Sequence, residues 1–565
     1  MRHTLTLLNH TASIAPRFRS SFESIWKPGQ RLGAYTRTSL AVSGGVDSMA
    51  LASLCSANAA SMGLSSPLVG FIVDHRLRHG STVEAHEVAE ELLQLRIEPH
   101  VLTLDWAHHS SKIDHLENSA RKLRYQAIGR ACQEQGIDTL LVAHHADDQA
   151  ETVLMRIVGK YFGTGLRGIA TRRPILECPG IYGVNDSGSP RIAEDGQIMI
   201  ESGGLDIVRP LLDYTKAELI DYCKTSNVKW LEDKTNADVT FTRRNTIRHL
   251  QKNKLLPVAL RSERLLALST NVAERETQVE LAAQNEFDRL SISLDVRTGV
   301  ATFDGNHELS GSTGRRVKTA LLRMLLSLVT PATEVKLQDA YETAELIWPE
   351  ARSEENKPVS FQTASVNVVP PTTPNNRLWT MSRQVPTQKD VALQCITLCD
   401  SAGPGLRFST WRLWDSRYWI RICRPEKDHA SPGHDSDICV RFLRKDDVAQ
   451  LMKSLDQPQR SRLRRCLALA AGNTRFTIPA IVAKTNPTTS RSHADEVIAL
   501  PSLGWSMSGW TLWPGEHALS VATVESFYDI RYKKVDIVRD VLHQVHASLP
   551  DVRTSRDEPA SRIVA

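Results

Sequence analysis

The sequence predicts an α/β protein: a doubly wound parallel sheet in its first half, then a helical segment, then an α+β C-terminal region. Three observations predict it. Short apolar runs alternate with stretches of helical period, which is the pattern of repeated β-α-β units. The polar clusters fall directly after the apolar runs, where sheets of this kind bind their ligands. A small-residue loop, Ser43-Gly44-Gly45-Val46-Asp47-Ser48, separates the first apolar run (Ser39 to Val42) from the first helical stretch (Met49 to Leu54).

The strands are expected at Leu40–Val42, Leu68–Val73, Pro99–Leu104 and Thr139–Ala143. Helices are expected between them at roughly 48–60, 82–96, 117–135 and 147–159. The loop at 43–48 presents backbone N–H groups at a helix N-terminus, a cradle for phosphate. It lacks the Gly-Lys-Ser/Thr ending of a Walker A loop. Its bland alternative is a tight Gly-rich turn.

Each later strand is followed by a polar motif. After the second comes Val73-Asp74-His75-Arg76-Leu77-Arg78. The third helix opens with Glu117-Asn118-Ser119-Ala120-Arg121-Lys122-Leu123-Arg124-Tyr125. Arg121 and Arg124 lie three apart, on one helix face, and suit phosphate or a charge-rich transition state; surface salt bridging is the alternative. After the fourth strand comes His144-His145-Ala146-Asp147-Asp148-Gln149-Ala150-Glu151-Thr152. Asp148 and Glu151 share a helix face. Acids beside a phosphate loop fit Mg²⁺ or a cationic amine that must lose a proton. N-capping by Asp147 or Asp148 is compatible with either. A zinc site is disfavoured because adjacent His144 and His145 do not readily face one metal. Gly163-Thr164-Gly165-Leu166-Arg167-Gly168 matches a dinucleotide fingerprint literally, but it follows a helix and no βαβ unit surrounds it.

Residues 180–204 read as a Gly/Ser-rich insertion, followed by a strand at Ile207-Val208 and a helix from about Thr215. Residues 255–295 read as helical and 350–376 as a Pro/Thr/Asn-rich linker. Phe408–Cys423 reads as a hairpin turning at Asp415-Ser416, with Trp411, Trp414, Tyr418 and Trp419 as core.

At 565 residues, 24% charged and 41% hydrophobic, the chain is globular with two to four domains. No apolar run approaches the ~20 residues that cross a bilayer, so no membrane partner is expected. Net charge is only +5, so nucleic-acid binding must use local patches. One patch holds Arg243, Arg244, Arg248, Lys252, Lys254, Arg261 and Arg264 against the single acid Glu263; a solvated helix face is its alternative. At Arg460, Arg462, Arg464 and Arg465 the solvated face is the favoured reading. Nine scattered cysteines without C-x-x-C argue against a disulfide framework or zinc ribbon. The first twenty residues carry three Arg, several Ser/Thr and no acid, the composition of a mitochondrial transit peptide.

Taken in order, these motifs resemble the tRNA(Ile)-lysidine synthetase family, an organellar-type member of the PP-loop (ATP-pyrophosphatase, adenine nucleotide alpha hydrolase-like) superfamily. Arg209-Pro210-Leu211-Leu212, Leu231 to Asp238, and Arg244-Asn245-Thr246-Ile247-Arg248 extend the match, which covers about residues 30–265. The resemblance implies binding of Mg·ATP and a tRNA(Ile) with a CAU anticodon. It implies adenylation of the wobble cytidine at O2, then attack on C2 by the ε-amine of free L-lysine, with loss of AMP. It places Ser43, Gly44, Gly45, Val46, Asp47, Ser48, Asp74, His75 and His144 at ATP and Asp47 at Mg²⁺. It gives Asp47, Asp148, Glu151, Arg121 and Arg124 catalytic work, with the two acids receiving the lysine ammonium. It puts Arg244, Asn245 and Arg248 at the tRNA. A homodimer is the assembly carried with this reading. The implied organisation is a transit peptide at 1–20, a PP-loop domain at 30–250, a mainly helical tRNA-contacting region at 251–349, and the linker at 350–376; an α+β region at 377–550 and a disordered tail at 551–565 complete it. The rivals are a thiolase-type PP-loop enzyme, an ammonia-using GMP or NAD synthetase, and a non-catalytic tRNA-binding scaffold.

Overall fold

The computed structural model describes residues 14–25, 38–64, 67–76, 80–104, 116–190, 199–232, 243–305, 309, 314–349, 358–373, 376–398, 408–422, 438–484, 495–507 and 527–535. The first described element is helix α1 (Ile14–Ile25). Ile14, Phe18 and Phe22 recur every four residues, so they form one stripe, and that stripe is buried in the core of the first domain. Residues 14–20 of the expected transit peptide thus belong to a packed helix. The preceding segment, 1–13, lies outside the described residues.

The expected alternation follows: β1 (Thr38–Val42), α2 (Val46–Asn58), β2 (Leu68–Asp74), α3 (Ser81–Gln94), β3 (Ile97–Thr103), α4 (Leu116–Glu134), β4 (Thr139–Leu141) and α5 (Ala146–Val158). A single 3₁₀ turn (Gly163–Arg167) leads into β5 (Arg172–Pro174), then β6 (Met199–Ile200), β7 (Asp206–Val208), α6 (Lys216–Thr225) and α7 (Arg243–Lys252). The first sheet runs β3-β2-β1-β4-β7-β5, parallel except for β5. Leu40 faces Gly70 on one side and Leu141 on the other. The order reverses direction between β1 and β4, so a crevice opens beyond their carboxyl ends. Apolar clusters lie on both faces of the sheet, as a parallel sheet requires.

Residues 180–190 and 199–204 of the 180–204 insertion are described. Its strand β6 is not part of the first sheet and pairs, in parallel, with the last described strand of the C-terminal region.

The second half departs more from expectation. Helix α8 (Ser262–Arg289) is long, but residues 292–295, expected as helix, form β8 (Ile292–Asp295), which pairs with β9 (Val300–Asp304). The region expected to be mainly helical thus carries a hairpin before α9 (Arg315–Ser327) and α10 (Leu337–Ile347). The expected linker contains β10 (Phe361–Thr363) and β11 (Val366–Val369). With β12 (Leu378–Arg383) they complete a five-stranded antiparallel sheet, β10-β11-β12-β9-β8. Val366 and Val368 are buried in it, which a linker would not allow.

Beyond it come α11 (Gln388–Leu393), β13 (Ile396–Thr397), β14 (Arg412–Trp414), β15 (Tyr418–Ile422), β16 (Ile438–Phe442), α12 (Lys445–Ser454), α13 (Gln457–Leu469), β17 (Pro479–Ala483), β18 (Glu496–Leu500), β19 (Trp505–Ser506) and β20 (Tyr528–Tyr532). They build one sheet ordered β13-β16-β17-β18-β19 and another ordered β14-β15-β20-β6. The expected hairpin is β14–β15, turning at Asp415 and Ser416 in left-handed conformation. Trp414, Tyr418 and Trp419 are core, while Trp411 is half-buried and stacks on Tyr182 of the insertion at 5.0 Å. The seven described cysteines are free thiols. No helix among the described residues is long and apolar enough to cross a membrane. The expected tail, 551–565, lies outside the described residues.

Candidate active site

The site lies in the crevice between β1 and β4. Gly44 turns the chain out of β1 with φ +82°, and a Cβ there would stand 2.5 Å from Val88 Cγ2. Its carbonyl accepts from the Leu231 amide at 2.8 Å, which docks the start of the Leu231–Asp238 motif on the loop; residues beyond 232 are outside the described set. Ser48 Oγ donates to the Gly45 carbonyl (2.9 Å) and accepts from the Ser43 amide (3.2 Å), closing the loop on itself. Gly45, the N-cap of α2, has no side chain to occupy the amides of Val46, Asp47 and Ser48. Those amides and the helix dipole are what a phosphate needs.

Three helix N-termini meet here. Asp47 is in the first turn of α2, His145 is the N-cap of α5, and Lys216 is the first residue of α6. The buried His145 ring holds them together: Nε2 is 3.6 Å from Asp47 Oδ2 and 3.5 Å from Asp148 Oδ2, and Nδ1 is 3.6 Å from Asp147 Oδ2. Lys216 Nζ is 3.3 Å from Asp47 Oδ2, and the Lys216 amide donates to Asp147 Oδ2 at 2.8 Å. Asp148 Oδ2 also accepts from the His145 amide at 3.1 Å, so capping and site-building coincide. Burial works against the imidazolium, but Asp47, Asp148 and Asp147 outweigh it and raise His145 above its ordinary value. For Asp47, burial alone would raise the carboxyl, yet His145 and Lys216 hold it below the usual range.

The acid pair is positioned as its spacing predicts, but it is not vacant. Arg248 Nε donates to Glu151 Oε1 and its NH2 reaches Asp148. Burial raises the Glu151 carboxyl despite that arginine. Arg248, expected at the tRNA, is thus placed on the acids. Asn245 is buried nearby, and Ile247 packs into the small core shared by α5, α7 and α8. Arg244 acts electrostatically on both His144 and Glu151.

On the other flank the charge is positive. Arg121 donates to Glu177 (3.0 Å), which also holds Arg173 (2.8 Å). Arg121 and Arg124 both lie over the Tyr125 ring. Arg209 is buried and donates to the Ala170 carbonyl at 2.8 Å. Burial and the cations Arg173 and Arg121 push it down to about 10. Burial and Arg209 push His144 down to about 3, so its ring is neutral. Burial and Arg124 likewise lower His75. Asp74, expected at the nucleotide, is spent on its own turn: Oδ1 accepts from Ser81 Oγ and Oδ2 from Thr82 Oγ1, both at 2.7 Å.

Sequence reasoning passed over His145, weighed only as a metal ligand, and Lys216. A signal existed for Lys216: a cation opening a helix opposes the macrodipole and needs a local anion. It also missed Glu177, which sits in unpatterned sequence. The Gly163–Gly168 stretch has a structural role. Gln149 accepts from the Ile169 amide (2.6 Å) and donates to Ser269 Oγ (3.2 Å), clamping that loop between α5 and α8.

Residues 15–258 match the PP-loop domain family. A probable tRNA(Ile)-lysidine synthase of Schizosaccharomyces pombe is 24% identical over 87% of this chain and 96% of its own length. A tRNA(Ile)-lysidine synthase of Wolbachia pipientis is 33% identical over 38% of this chain, which spans 43% of that relative. One from Novosphingobium aromaticivorans is 30% identical over 50% of this chain and 74% of its own length. With the phosphate loop, the acid pair and the folded β-α-β frame all in place, the chain belongs to the tRNA(Ile)-lysidine synthase family.

Proposed function

We propose that this chain joins free lysine to a tRNA(Ile) at the expense of ATP, forming a C–N bond. The observation that carries the reading is the meeting of Asp47 and Asp148 on His145, which brings the phosphate loop and the amine-binding acids to one point. In the first half-reaction, cytidine O2 attacks the α-phosphorus of ATP and pyrophosphate leaves. The loop amides of 43–48 and the three helix N-termini favour that leaving anion. In the second, the ε-amine attacks C2 and AMP departs with O2. An ammonium cannot attack, so a proton must pass to a nearby carboxylate. Glu151, with its raised affinity for protons, suits that step. Arg121 and Arg124 suit the phosphate of the adenylated base.

The finer reading is a CAU anticodon, Mg²⁺, a homodimer and a mitochondrial setting. Among the described residues no group of three or more His, Cys, Asp or Glu is arranged to hold a metal alone. Asp47 Oδ1 is buried without a hydrogen-bond partner, and one carboxylate oxygen is what Mg²⁺ arriving on phosphates uses. Mg²⁺ there would neutralise phosphate charge. The acid-free leading residues support import.

The test is incubation with ATP, Mg²⁺, labelled free lysine and a CAU-anticodon tRNA(Ile) transcript. Label on the RNA that needs ATP, lysine and the cytidine is the expected result. RNA binding without label, or a mass gain of one sulfur, would overturn it. Sedimentation tests the dimer, and imaging of the tagged chain tests the compartment.

A further inference from the structure

Helix α5 carries the acids at one end and an unexplained pair of aromatics just past the other. Tyr161 is 61% exposed and Phe162 64%, and the preceding Val158 is 72% exposed. This is not a loose loop. The Gly159 amide donates to the Met155 carbonyl (2.9 Å), Lys160 to Ile157 (3.0 Å) and Tyr161 to Arg156 (2.8 Å). Lys160 takes a left-handed conformation to make the turn. The 3₁₀ turn that follows is held by the Gln149 clamp. Hydrogen-bonded backbone therefore presents two large rings to water, an apolar exposure that marks interaction surfaces.

Cations accompany the rings. The Arg156 guanidinium lies 5.7 Å from the Tyr161 ring centre, and the exposed Lys160 precedes Tyr161 in the chain. Lys254, Arg261 and Arg264 are exposed on segments whose Leu256, Leu260 and Leu265 pack into the small core that α5 also lines. Planar rings among cations fit single-stranded nucleic acid, whose bases stack and whose phosphates are anionic. A helix of 13 residues spans about 20 Å, a distance that reaches from a nucleotide in the acid site to other unpaired bases of the same loop.

We propose that Tyr161 and Phe162 are a stacking platform for unpaired RNA bases flanking the reacting nucleotide, with Lys160, Lys254, Arg261 and Arg264 against their phosphates. The proposal rests on the RNA-ligase reading above. It is tested with the full chain by measuring tRNA(Ile) affinity across a salt series. Tyr161→Ala with Phe162→Ala weakens binding about 10- to 100-fold without changing the salt slope, because stacking releases no counterions. Tyr161→Phe retains affinity. Lys254→Ala lowers the slope by about one. Because both rings are exposed, the thermal midpoint stays at the wild-type value, and Phe162→Leu, which keeps apolar bulk, still loses affinity. Wild-type affinity in the double variant, or an equal loss on fully duplex RNA, overturns the platform while leaving the ligase reading intact. A wild-type chain that binds no RNA overturns both.

Discussion

Arg248 Nε lies 2.6 Å from Glu151 Oε1, and the same guanidinium reaches Asp148 Oδ1 at 3.2 Å. One arginine of this chain thus closes the acid pair that a lysine ammonium would use. Under the proposed function, arginine and substrate would compete for the same oxygens, and RNA would be the agent to draw the arginine away. Arg248→Ala should therefore tighten lysine binding in the absence of RNA by about tenfold, the scale of one charged hydrogen bond. Calorimetry of lysine binding checks this. Unchanged or weaker lysine affinity would contradict the competition.

Removing an acid has the opposite consequence. Asp148→Asn keeps a hydrogen-bonding side chain but loses the charge. Lysidine formation should fall by about 100-fold or more, while ATP binding changes little. Parallel single-turnover and nucleotide-binding assays separate the two. Equal loss in both would remove Asp148 from the amine step.

The His145 cluster makes stability depend on pH. His145 titrates above 6.5 in the folded chain, so its stabilising contribution is complete below that value. It is lost as pH rises through the folded value. Asp47 behaves in the opposite sense: its contribution holds above 3.8 and disappears as pH falls through its lower folded value. Urea midpoints from about pH 6 to about pH 9 should decline for the wild type and flatten in His145→Gln. A decline of the same size in the variant would assign the effect elsewhere.

Gly44 is constrained twice, by φ +82° and by Val88 at 2.5 Å from a would-be Cβ. Gly44→Ala should cost about 1–3 kcal/mol of strain and raise the KM for ATP about tenfold or more. Adding Val88→Ala relieves the contact but not the dihedral, so recovery should be partial. Full recovery would mean that only the contact mattered.

The insertion is held by a buried ion pair. Arg531 NH1 is 3.0 Å from Glu201 Oε1, a carboxylate with no exposed surface, and Arg531 also donates to Tyr182. Arg531→Ala strands that charge and should cost about 3 kcal/mol. Arg531→Ala with Glu201→Gln should recover part of it. Denaturant unfolding provides the measurement, and additive losses would argue against coupling.

Much of the first domain is legible because its signals are local. Ser43–Ser48 and His144–Glu151 each lie on one strand–helix junction, and the β-α-β frame brings such junctions to one edge. The Arg248 contact was not legible, because it joins helices about a hundred positions apart and the charge of that stretch suggested RNA or a solvated helix face. The second half hid its strands for a different reason. The β10–β11 hairpin turns at Ala364-Ser365 with φ 47° and 60°, where Asn-Gly would have announced it. Pro and Thr around it suggested a linker. At β8, a strand of four residues follows a helix of 28, too short to break the helical period seen in sequence.

The pairing of β6 with β20 sets an order in time. Glu201 meets Arg531 across 330 positions of chain. At about 5–20 residues per second, roughly 15 to 65 seconds of synthesis separate the two. Through that interval the catalytic half can fold, yet its insertion has no strand to join. The insertion of a nascent chain thus waits unpaired until β20 emerges.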